Sequence, residues 1–365
     1  MASKYILAKM RLECKRKAEA LDANENSSDV LLDILKIIDP VEYRSILESQ
    51  SAWDNSTALN LAVSFDSVGA VTHILDSLTV CERDVLMRMK TAEAEGEITC
   101  LHIAVNNKYT DMLEILFNSL ATRPDYQLSL LKIGDEYGNT ALHLAAQAGY
   151  TDGLTCILNH VKPCDRLNVL CTKTLFDRYT SLHFALGNEH LEAAEVLLDC
   201  LRDDEERMLL VQQSDSVHSN VILDAVARKR PEVLKLLVRL FNPSIWCYLL
   251  KSRNNQNRTA LYFAVKNNML NLLLKCLSVE SRLELLSLPV NGACDTPGNT
   301  SLHHAVANCN RQSVNDIMSL LTPETRLSLL QVRNHEHKTV LQLAVDEYLI
   351  GAVISILDFK VGSGE

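Results

Sequence analysis

The chain has 365 residues, a formal net charge of -10, and a composition that is 47% hydrophobic but only 5% aromatic. No stretch is long and apolar enough to predict a membrane-spanning helix, and 12 glycines and 8 prolines leave no low-complexity linker. The 11 cysteines are scattered singly, which is typical of reduced, buried thiols and argues against a disulfide-rich secreted scaffold. We therefore predict a soluble cytoplasmic protein, folded nearly throughout, without a membrane span.

The first segment, residues 1–28, is basic and has the pattern of an amphipathic helix. It predicts a polar capping helix over the unit that follows, with a membrane-binding or nucleic-acid-binding segment as the alternative. Between residues 4 and 19 it carries Lys4, Lys9, Arg11, Lys15, Arg16 and Lys17 against Glu13 and Glu19. Residues 30–35 then have the pattern of an outer helix without a recognisable inner partner.

Altered copies of the segment from Gly138 to Gly149 recur along the chain at intervals of 39 to 42 residues. Such a period indicates stacked helical units, none of which can bury its apolar face alone. We therefore predict one repeat domain over residues 29–360 and a short tail over residues 361–365. The positions equivalent to Thr140 are Thr57, Thr99, Thr140, Thr180, Asn220, Thr259, Thr300 and Thr339.

Each copy has the pattern of two short antiparallel helices. Thr140 can cap the inner helix by accepting a hydrogen bond from a free backbone N–H, and Gly149 can end it because glycine tolerates the left-handed conformation. The outer helix has its first apolar residue nine positions after an inner-helix alanine, as from Ala145 to Leu154, and this spacing is the same in all copies. The helix pair is therefore predicted to carry no insertion.

Between the outer helix and the next capping residue, most copies contain an additional apolar pair. Several pairs follow a proline and a polar turn, which predicts a third short helix per unit before the chain enters a finger loop. The pairs are Ile46-Leu47, Val85-Leu86, Leu130-Leu131, Val169-Leu170, Leu209-Leu210, Leu249-Leu250, Leu285-Leu286 and Leu329-Leu330. The longest predicted fingers run from Lys90 to Glu97 and from Pro289 to Gly298.

The segment from Gly138 to Leu158 resembles the ankyrin repeat, G-x-T-P-L-H-x-A-x-x-x-G-H followed by an outer helix, with Ala141 in place of the usual proline and Tyr150 in place of the final histidine. The resemblance implies an all-α ankyrin-repeat solenoid of about eight helix-pair units, each with the extra helix and a finger loop. It also implies a structural role, bonding backbone between neighbouring units, for the repeat histidines His102, His143, His183 and His303.

Two copies of the motif R-x-x-L-L, beginning at Arg282 and Arg326, lie in the predicted third helices. Together with the repeat length, they are similar to long ankyrin repeats in proteins of intracellular bacteria and some invertebrates. This similarity implies an alternative function, a secreted effector acting on proteins of the host cytosol. A targeting or regulatory fragment of a larger effector or enzyme is a further alternative.

Recognisable catalytic or cofactor motifs are absent from the sequence. The segment from Gly292 to Gly298 lacks the lysine of a phosphate-binding loop. Cys294, His303, His304 and Cys309 do not have the spacing of a zinc site, and the acidic run from Asp203 to Glu206 is typical of a solvated loop. We therefore predict a protein that is not an enzyme and that holds no metal and no cofactor.

The function that this pattern favours is a monomeric scaffold or adaptor that binds a partner protein on its finger and inner-helix face. Residues 226–258 hold eight cations against Glu232, a local charge of +7 in a chain whose remainder carries -17. An acidic peptide or protein surface is the expected complement, and ordinary solvated charges are the alternative. Nucleic acid is not expected, because the acidic remainder would repel phosphate. The predicted partner-binding residues are Arg228, Arg258, Lys266, Asn188, Asn267 and Asn308.

Overall fold

The computed structural model describes residues 12, 28–38, 40–51, 54–93, 96–290 and 298–361. The predicted N-terminal capping helix, apart from Leu12 and Ser28, and the tail from Gly362 to Glu365 lie outside these residues. Within them the chain forms 25 α-helices and one two-stranded hairpin. The prediction of an all-α repeat fold is confirmed.

The helices recur in the order inner, outer and third. The inner helices are α3 (Ala58–Ser64), α6 (Cys100–Asn106), α9 (Ala141–Gln147), α12 (Ser181–Gly187), α15 (Val221–Ala227), α18 (Ala260–Asn267), α21 (Ser301–Ala307) and α24 (Val340–Asp346). The outer helices are α1 (Ser28–Ile37), α4 (Val68–Asp76), α7 (Thr110–Ser119), α10 (Thr151–Asn159), α13 (Leu191–Asp199), α16 (Pro231–Leu240), α19 (Leu270–Leu274), α22 (Arg311–Ser319) and α25 (Ile350–Val361).

The predicted third helix is present in the structure, and it follows each outer helix from α1 to α22, before the next finger. The members of this class are α2 (Pro40–Leu47), α5 (Val80–Arg88), α8 (Pro124–Leu131), α11 (Pro163–Leu170), α14 (Asp204–Val211), α17 (Pro243–Leu249), α20 (Val279–Ser287) and α23 (Pro323–Gln331). The hairpin pairs β1 (Thr91–Glu93) with β2 (Gly96–Ile98) in antiparallel register and forms the finger before Thr99.

The inner helices begin and pack as the repeat pattern predicts. Thr140 and its equivalents directly precede them, and the side chains of Thr57, Asn220 and Thr300 accept hydrogen bonds from N–H groups of the first turn. The alanine at the position of Ala145 is buried in every copy, which allows neighbouring inner helices to approach closely. These alanines are Ala62, Ala104, Ala145, Ala185, Ala225, Ala264, Ala305 and Ala344.

The residue that ends the inner helix is left-handed in all eight copies, although only one of them is glycine. Gly149 has φ 61° and needs no strain for it. The other seven residues adopt the same conformation with a side chain, which is unfavourable for most L-residues. They are Asp66, Lys108, Glu189, Lys229, Asn268, Cys309 and Tyr348.

Two of the predicted apolar pairs in the third helices are shifted by one residue. In α5 the buried pair is Leu86-Met87, and Val85 is 56% exposed. In α14 the buried pair is Leu210-Val211, and Leu209 is 46% exposed. Three consecutive apolar residues stand at each site, so their identity alone does not indicate which two face the core.

A polar or indole side chain stands three residues before each buried pair, and we call this position the third-helix clamp. Arg83 donates from Nε to the Leu75 carbonyl (2.7 Å) and from Nη1 to that of Ser119 in the next outer helix (2.9 Å). Arg282 bonds Leu274 and Leu320 in the same way. In these two copies the clamp therefore satisfies carbonyls that a helix end leaves free. The set is Tyr43, Arg83, Gln127, Arg166, Arg207, Trp246, Arg282 and Arg326.

The chain divides into two compact units. The first comprises residues up to Ala185 together with Glu192–Arg202, and the second comprises Leu186–Leu191 together with the residues from Asp203 onward. In the first unit the inner helices α3, α6 and α9 pack in sequence, and in the second the inner helices α15, α18, α21 and α24 do so. Each unit buries its apolar core between its inner, outer and third helices.

Candidate functional site

The six predicted partner-binding residues all lie in the second unit. Four of them, Asn188, Arg228, Asn267 and Asn308, occupy equivalent positions eight residues after the residue that precedes the inner helix. These positions are at the C-terminal ends of α12, α15, α18 and α21. Positive charge and amide donors are favourable there, because helix ends carry partial negative charge and free carbonyls.

Several of these side chains also have structural partners. Arg228 bonds Asp224 in its own helix at 2.7 Å. Asn267 donates to the carbonyl of Val226 at 2.7 Å and therefore ties the end of α18 to the end of α15. Asn308 donates to the carbonyl of His304 at 2.7 Å. The end of each helix is thus closed by the residues that the sequence predicts to bind a partner.

The other two predicted residues flank a half-buried aromatic ring. Arg258 precedes α18, and its guanidinium carbon lies 4.6 Å from the centroid of the Tyr262 ring. Lys266 follows Tyr262 by four residues, so both lie on one face of α18, and it is exposed. We call Arg258, Tyr262 and Lys266 the α18 stripe. It combines two cations with one aromatic side chain.

The Tyr262 ring also stacks on the neighbouring inner helix. Its centroid lies 4.4 Å from that of His304 in α21, with an angle of 28° between the ring planes. The amide nitrogen of Asn308 lies 3.2 Å from Nδ1 of the same histidine. Arg258, Tyr262 and His304 therefore form a column of three planar groups, and this arrangement restricts the guanidinium to a defined orientation.

The stack depends on a departure from the repeat pattern. Tyr262 occupies the position of the repeat histidine, which elsewhere bonds the threonine before its helix. In this copy Oγ1 of Thr259 is buried and makes no hydrogen bond within the described residues. The phenol ring is half-buried and faces Arg258 and His304 instead. Breaks in a repeat rule that leave a buried polar group unsatisfied often mark functional positions.

Sequence reasoning did not identify Tyr262 or His304 as site residues. His304 stands where Leu61, Leu144 and Leu343 stand in other copies, so the sequence alone indicates a packing residue. A usable signal was present, because two adjoining copies depart from the pattern at neighbouring positions. That signal does not indicate which side chains stack on each other.

The repeat histidines make a different network. In the third copy, Nδ1 of His143 accepts from the backbone N–H of Thr140 at 3.1 Å, so the ring proton is on Nε2. Nε2 donates to the carbonyl of Tyr179 in the next finger, also at 3.1 Å. His102 and His303 bond the next fingers through Asn139 and Lys338. Each of these three histidines thus joins one unit of the repeat to the next.

The neutral state of the repeat histidines is essential to these bonds. Burial lowers the pKa of His143 to about 4 and also lowers the pKa values of His102 and His303. A proton on Nδ1 would remove the acceptor that Thr140 uses. His183 accepts from the backbone N–H of Thr180 at 3.2 Å and stacks on Tyr179.

Much of the positive charge of residues 226–258 is engaged within the second unit. Lys235 pairs with Glu232 at 2.7 Å, and Lys251 pairs with Glu284 at 2.6 Å. Arg230 and Arg253 donate to the carbonyls of Leu186 and Pro289. Exposed ion pairs of this kind contribute little to stability. They do, however, reduce the charge that is available to a partner.

The described residues contain no group of three or more His, Cys, Asp or Glu side chains that could hold a metal ion. Cys294, which belonged to the loose cluster with His303, His304 and Cys309, lies outside them. Among the described helices, none has the length and hydropathy needed to span a membrane.

Comparison with protein families matches residues 59–168 and 101–206 to the family described as ankyrin repeats (3 copies). Comparison with curated proteins gives no significant match. Among solved structures, the ankyrin repeat domain of Bcl-3, a member of the IkappaB family, is 16% identical with a TM-score of 0.45, covering 82% of this chain and 99% of that one. An ankyrin repeat domain from Acinetobacter baumannii AYE is 21% identical with a TM-score of 0.40, covering 62% and 99%.

Proposed function

This chain is an ankyrin repeat protein, and from that premise we propose that it is a binding scaffold whose α18 stripe holds an acidic segment of a partner protein. Ankyrin repeats mediate protein–protein interaction, so a binding role follows from the family. The choice of the α18 stripe rests on one observation, the stacked column of Arg258, Tyr262 and His304 beside Lys266.

The stripe suits a carboxylate for physical reasons. A guanidinium stacked on a ring can make in-plane hydrogen bonds to a carboxylate. In this structure Nη1 of Arg258 donates to Oε1 of Gln256 at 2.7 Å, a bond that an incoming carboxylate would replace. Because the ring stack already restricts Arg258, less side-chain entropy is lost when the partner binds. Lys266 adds a second cation on the same face of α18, and Asn308 adds an amide next to the stack.

A peptide-binding measurement tests this proposal. The probes are a labelled peptide of glutamate and alanine and its lysine and alanine counterpart, followed by fluorescence anisotropy at low and high salt. We expect the acidic peptide to bind the wild type better, with an affinity that falls as salt rises. Removing both cations, with Arg258→Gln and Lys266→Gln together, should weaken binding about tenfold, or about 1.4 kcal/mol.

Lys235→Gln supplies the matched control, because it removes an exposed cation from the outer helix α16 of the same unit. Tyr262→Leu should weaken binding as well, since it keeps the charges but removes the ring that orients Arg258. Equal affinity of the wild type and the double variant, with equal salt dependence, would reject the α18 stripe as the recognition surface.

A further inference from the structure

An exposed apolar cluster lies at the tips of the two fingers before Thr140 and Thr180, in the first unit. Tyr137, Leu175 and Phe176 are 52%, 67% and 69% exposed. The tip residues of the fingers before Thr259 and Thr339 are all polar by comparison, from Asn254 to Asn257 and from Asn334 to His337. Large apolar side chains gathered on a surface, rather than scattered singly, are typical of an interaction site. We call these three residues the fingertip cluster.

The cluster is held in place by the backbones of both fingers. The N–H of Leu175 donates to the carbonyl of Tyr137 at 2.9 Å, which joins one tip to the other. Gly138 makes this approach possible, since a Cβ there would lie 2.8 Å from Cγ of Leu175, and its φ is +80°. Thr174 and Tyr179 close the second finger with two hydrogen bonds of 3.0 Å. Little ordering is therefore needed when a partner binds.

The two rings of the cluster form an open pair. The centroids of Tyr137 and Phe176 are 6.4 Å apart, with an angle of 58° between their planes. Both rings are more than half exposed, so ring surface is accessible to a ligand. The negative face of an aromatic ring attracts a cation more than a neutral group of the same size.

Carboxylates dominate the charge near the Tyr137 ring. A hydrogen bond between the Tyr137 hydroxyl and Glu136 raises the pKa of Tyr137, and the charges of Glu136 and Asp135 raise it further. Glu97 and Asp177 are exposed in the adjoining finger residues, where Lys173 and Arg178 are the neighbouring cations in the sequence. A purely apolar partner would have to remove water from these carboxylates without compensation.

We propose that the fingertip cluster binds a cationic amphipathic segment of a partner protein. Aliphatic side chains of that segment cover Leu175 and Phe176, and a lysine or arginine lies between the Tyr137 ring and the Glu136 carboxylate. This surface is distinct from the α18 stripe in position and opposite in charge preference. The proposal does not depend on the function proposed for that stripe.

The test uses the full chain and a labelled amphipathic peptide of leucine and lysine, with a leucine and glutamate peptide of equal length as the comparison. We expect the cationic peptide to bind at least about tenfold more tightly than the acidic one. Leu175→Ser with Phe176→Ser should abolish most of that binding. Glu136→Gln should reduce both the affinity and its dependence on salt, because it removes one carboxylate and keeps the apolar surface.

Val85→Ser is the matched control, since Val85 is a comparably exposed apolar residue on α5 of the same unit, 56% exposed. Binding that is unchanged in the fingertip variant, or lost equally in the Val85 variant, would overturn the proposal. So would equal binding of the acidic peptide. Concentration-dependent self-association in sedimentation, abolished by the fingertip variant, would assign the cluster to a contact between two copies and would also overturn it.

Discussion

The repeats that begin at Thr140 and Thr259 have equivalent inner helices, but the third residue of the helix makes different contacts in each. In the first, His143 accepts from the backbone of Thr140 and donates to the next finger. In the second, Tyr262 leaves Thr259 without a side-chain hydrogen bond among the described residues and stacks between Arg258 and His304. The same position joins two units in one repeat and holds a stack of side chains in the other, so a lost structural bond marks a candidate binding position.

The largest expected effect comes from removing the histidine of the stabilising repeat. His143→Ala deletes the acceptor for the Thr140 N–H and the donor to the next finger, and it should lower the free energy of unfolding by about 3 kcal/mol. Urea denaturation measures this. His143→Gln should lose less, because Gln342 fills the equivalent position in the last copy and accepts from the Thr339 N–H at 2.9 Å. Equal loss in both variants would contradict the capping role.

The next largest effect is that the contribution of His143 to the free energy of unfolding should depend on pH. The pKa of His143 falls to about 4 in the folded state from about 6.5 in the unfolded state. Between these values the unfolded chain binds more protons, so the contribution is complete above about pH 6.5 and is lost as pH falls toward 4. About 2 kcal/mol should disappear by pH 5.

The difference in unfolding free energy between the wild type and His143→Gln isolates this contribution, since other titrating groups are common to both. That difference should shrink as pH falls from 7 to 5. A difference that stays constant over this range would mean that the histidine is not held neutral by burial.

A histidine at position 262 should give the repeat that begins at Thr259 the threonine–histidine bond of the repeat that begins at Thr140. Tyr262→His gives Thr259 Oγ1 a partner and should raise the free energy of unfolding by about 1 kcal/mol. The same variant should weaken binding of the acidic peptide, because Arg258 loses the ring beneath it. Calorimetry and anisotropy on one protein sample report both changes. A variant that gains stability and keeps full affinity would separate the stack from recognition.

The smallest expected effect concerns the left-handed residue that ends each inner helix. Lys108→Gly should stabilise the fold by about 0.5 kcal/mol, since relief of the left-handed strain slightly exceeds the entropy lost by glycine. Gly149→Ala should destabilise by about 1 kcal/mol at the equivalent position. Thermal melts of both variants check the pair. Shifts of the same sign would show that the two positions are not equivalent.

The fold was largely predictable because periodicity fixes the register of every copy at once. The residue before each inner helix, the buried alanines and the third helix all follow from eight aligned copies. In α5 and α14, apolar character alone does not show which two adjacent residues face the core. The clamp residues Arg83 and Arg207 do indicate which two residues are buried, because each stands three residues before its buried pair.

The candidate site was less predictable for a physical reason. Register places Arg258 and Lys266 around α18, but the stack that orients Arg258 joins side chains of two copies, Tyr262 and His304, that are 42 residues apart. Their contact depends on side-chain rotamers and on how closely α18 and α21 pack. Likewise, the exposure of Leu175 and Phe176 is not indicated by their apolar character, which in a sequence suggests burial.

The third-helix clamp has a consequence for how unfolding spreads through such an array. The clamp residues Arg83, Arg166 and Arg282 donate to carbonyls at the end of the following outer helix, those of Ser119, Cys200 and Leu320. When one repeat opens, its neighbour is therefore left with a guanidinium or a helix-end carbonyl that has lost its hydrogen bond. In a linear array, stronger coupling between nearest neighbours lengthens the stretch that melts as one cooperative block. A shorter ankyrin unit grafted into this chain would lack the donor and would act as a break point between two independently melting blocks.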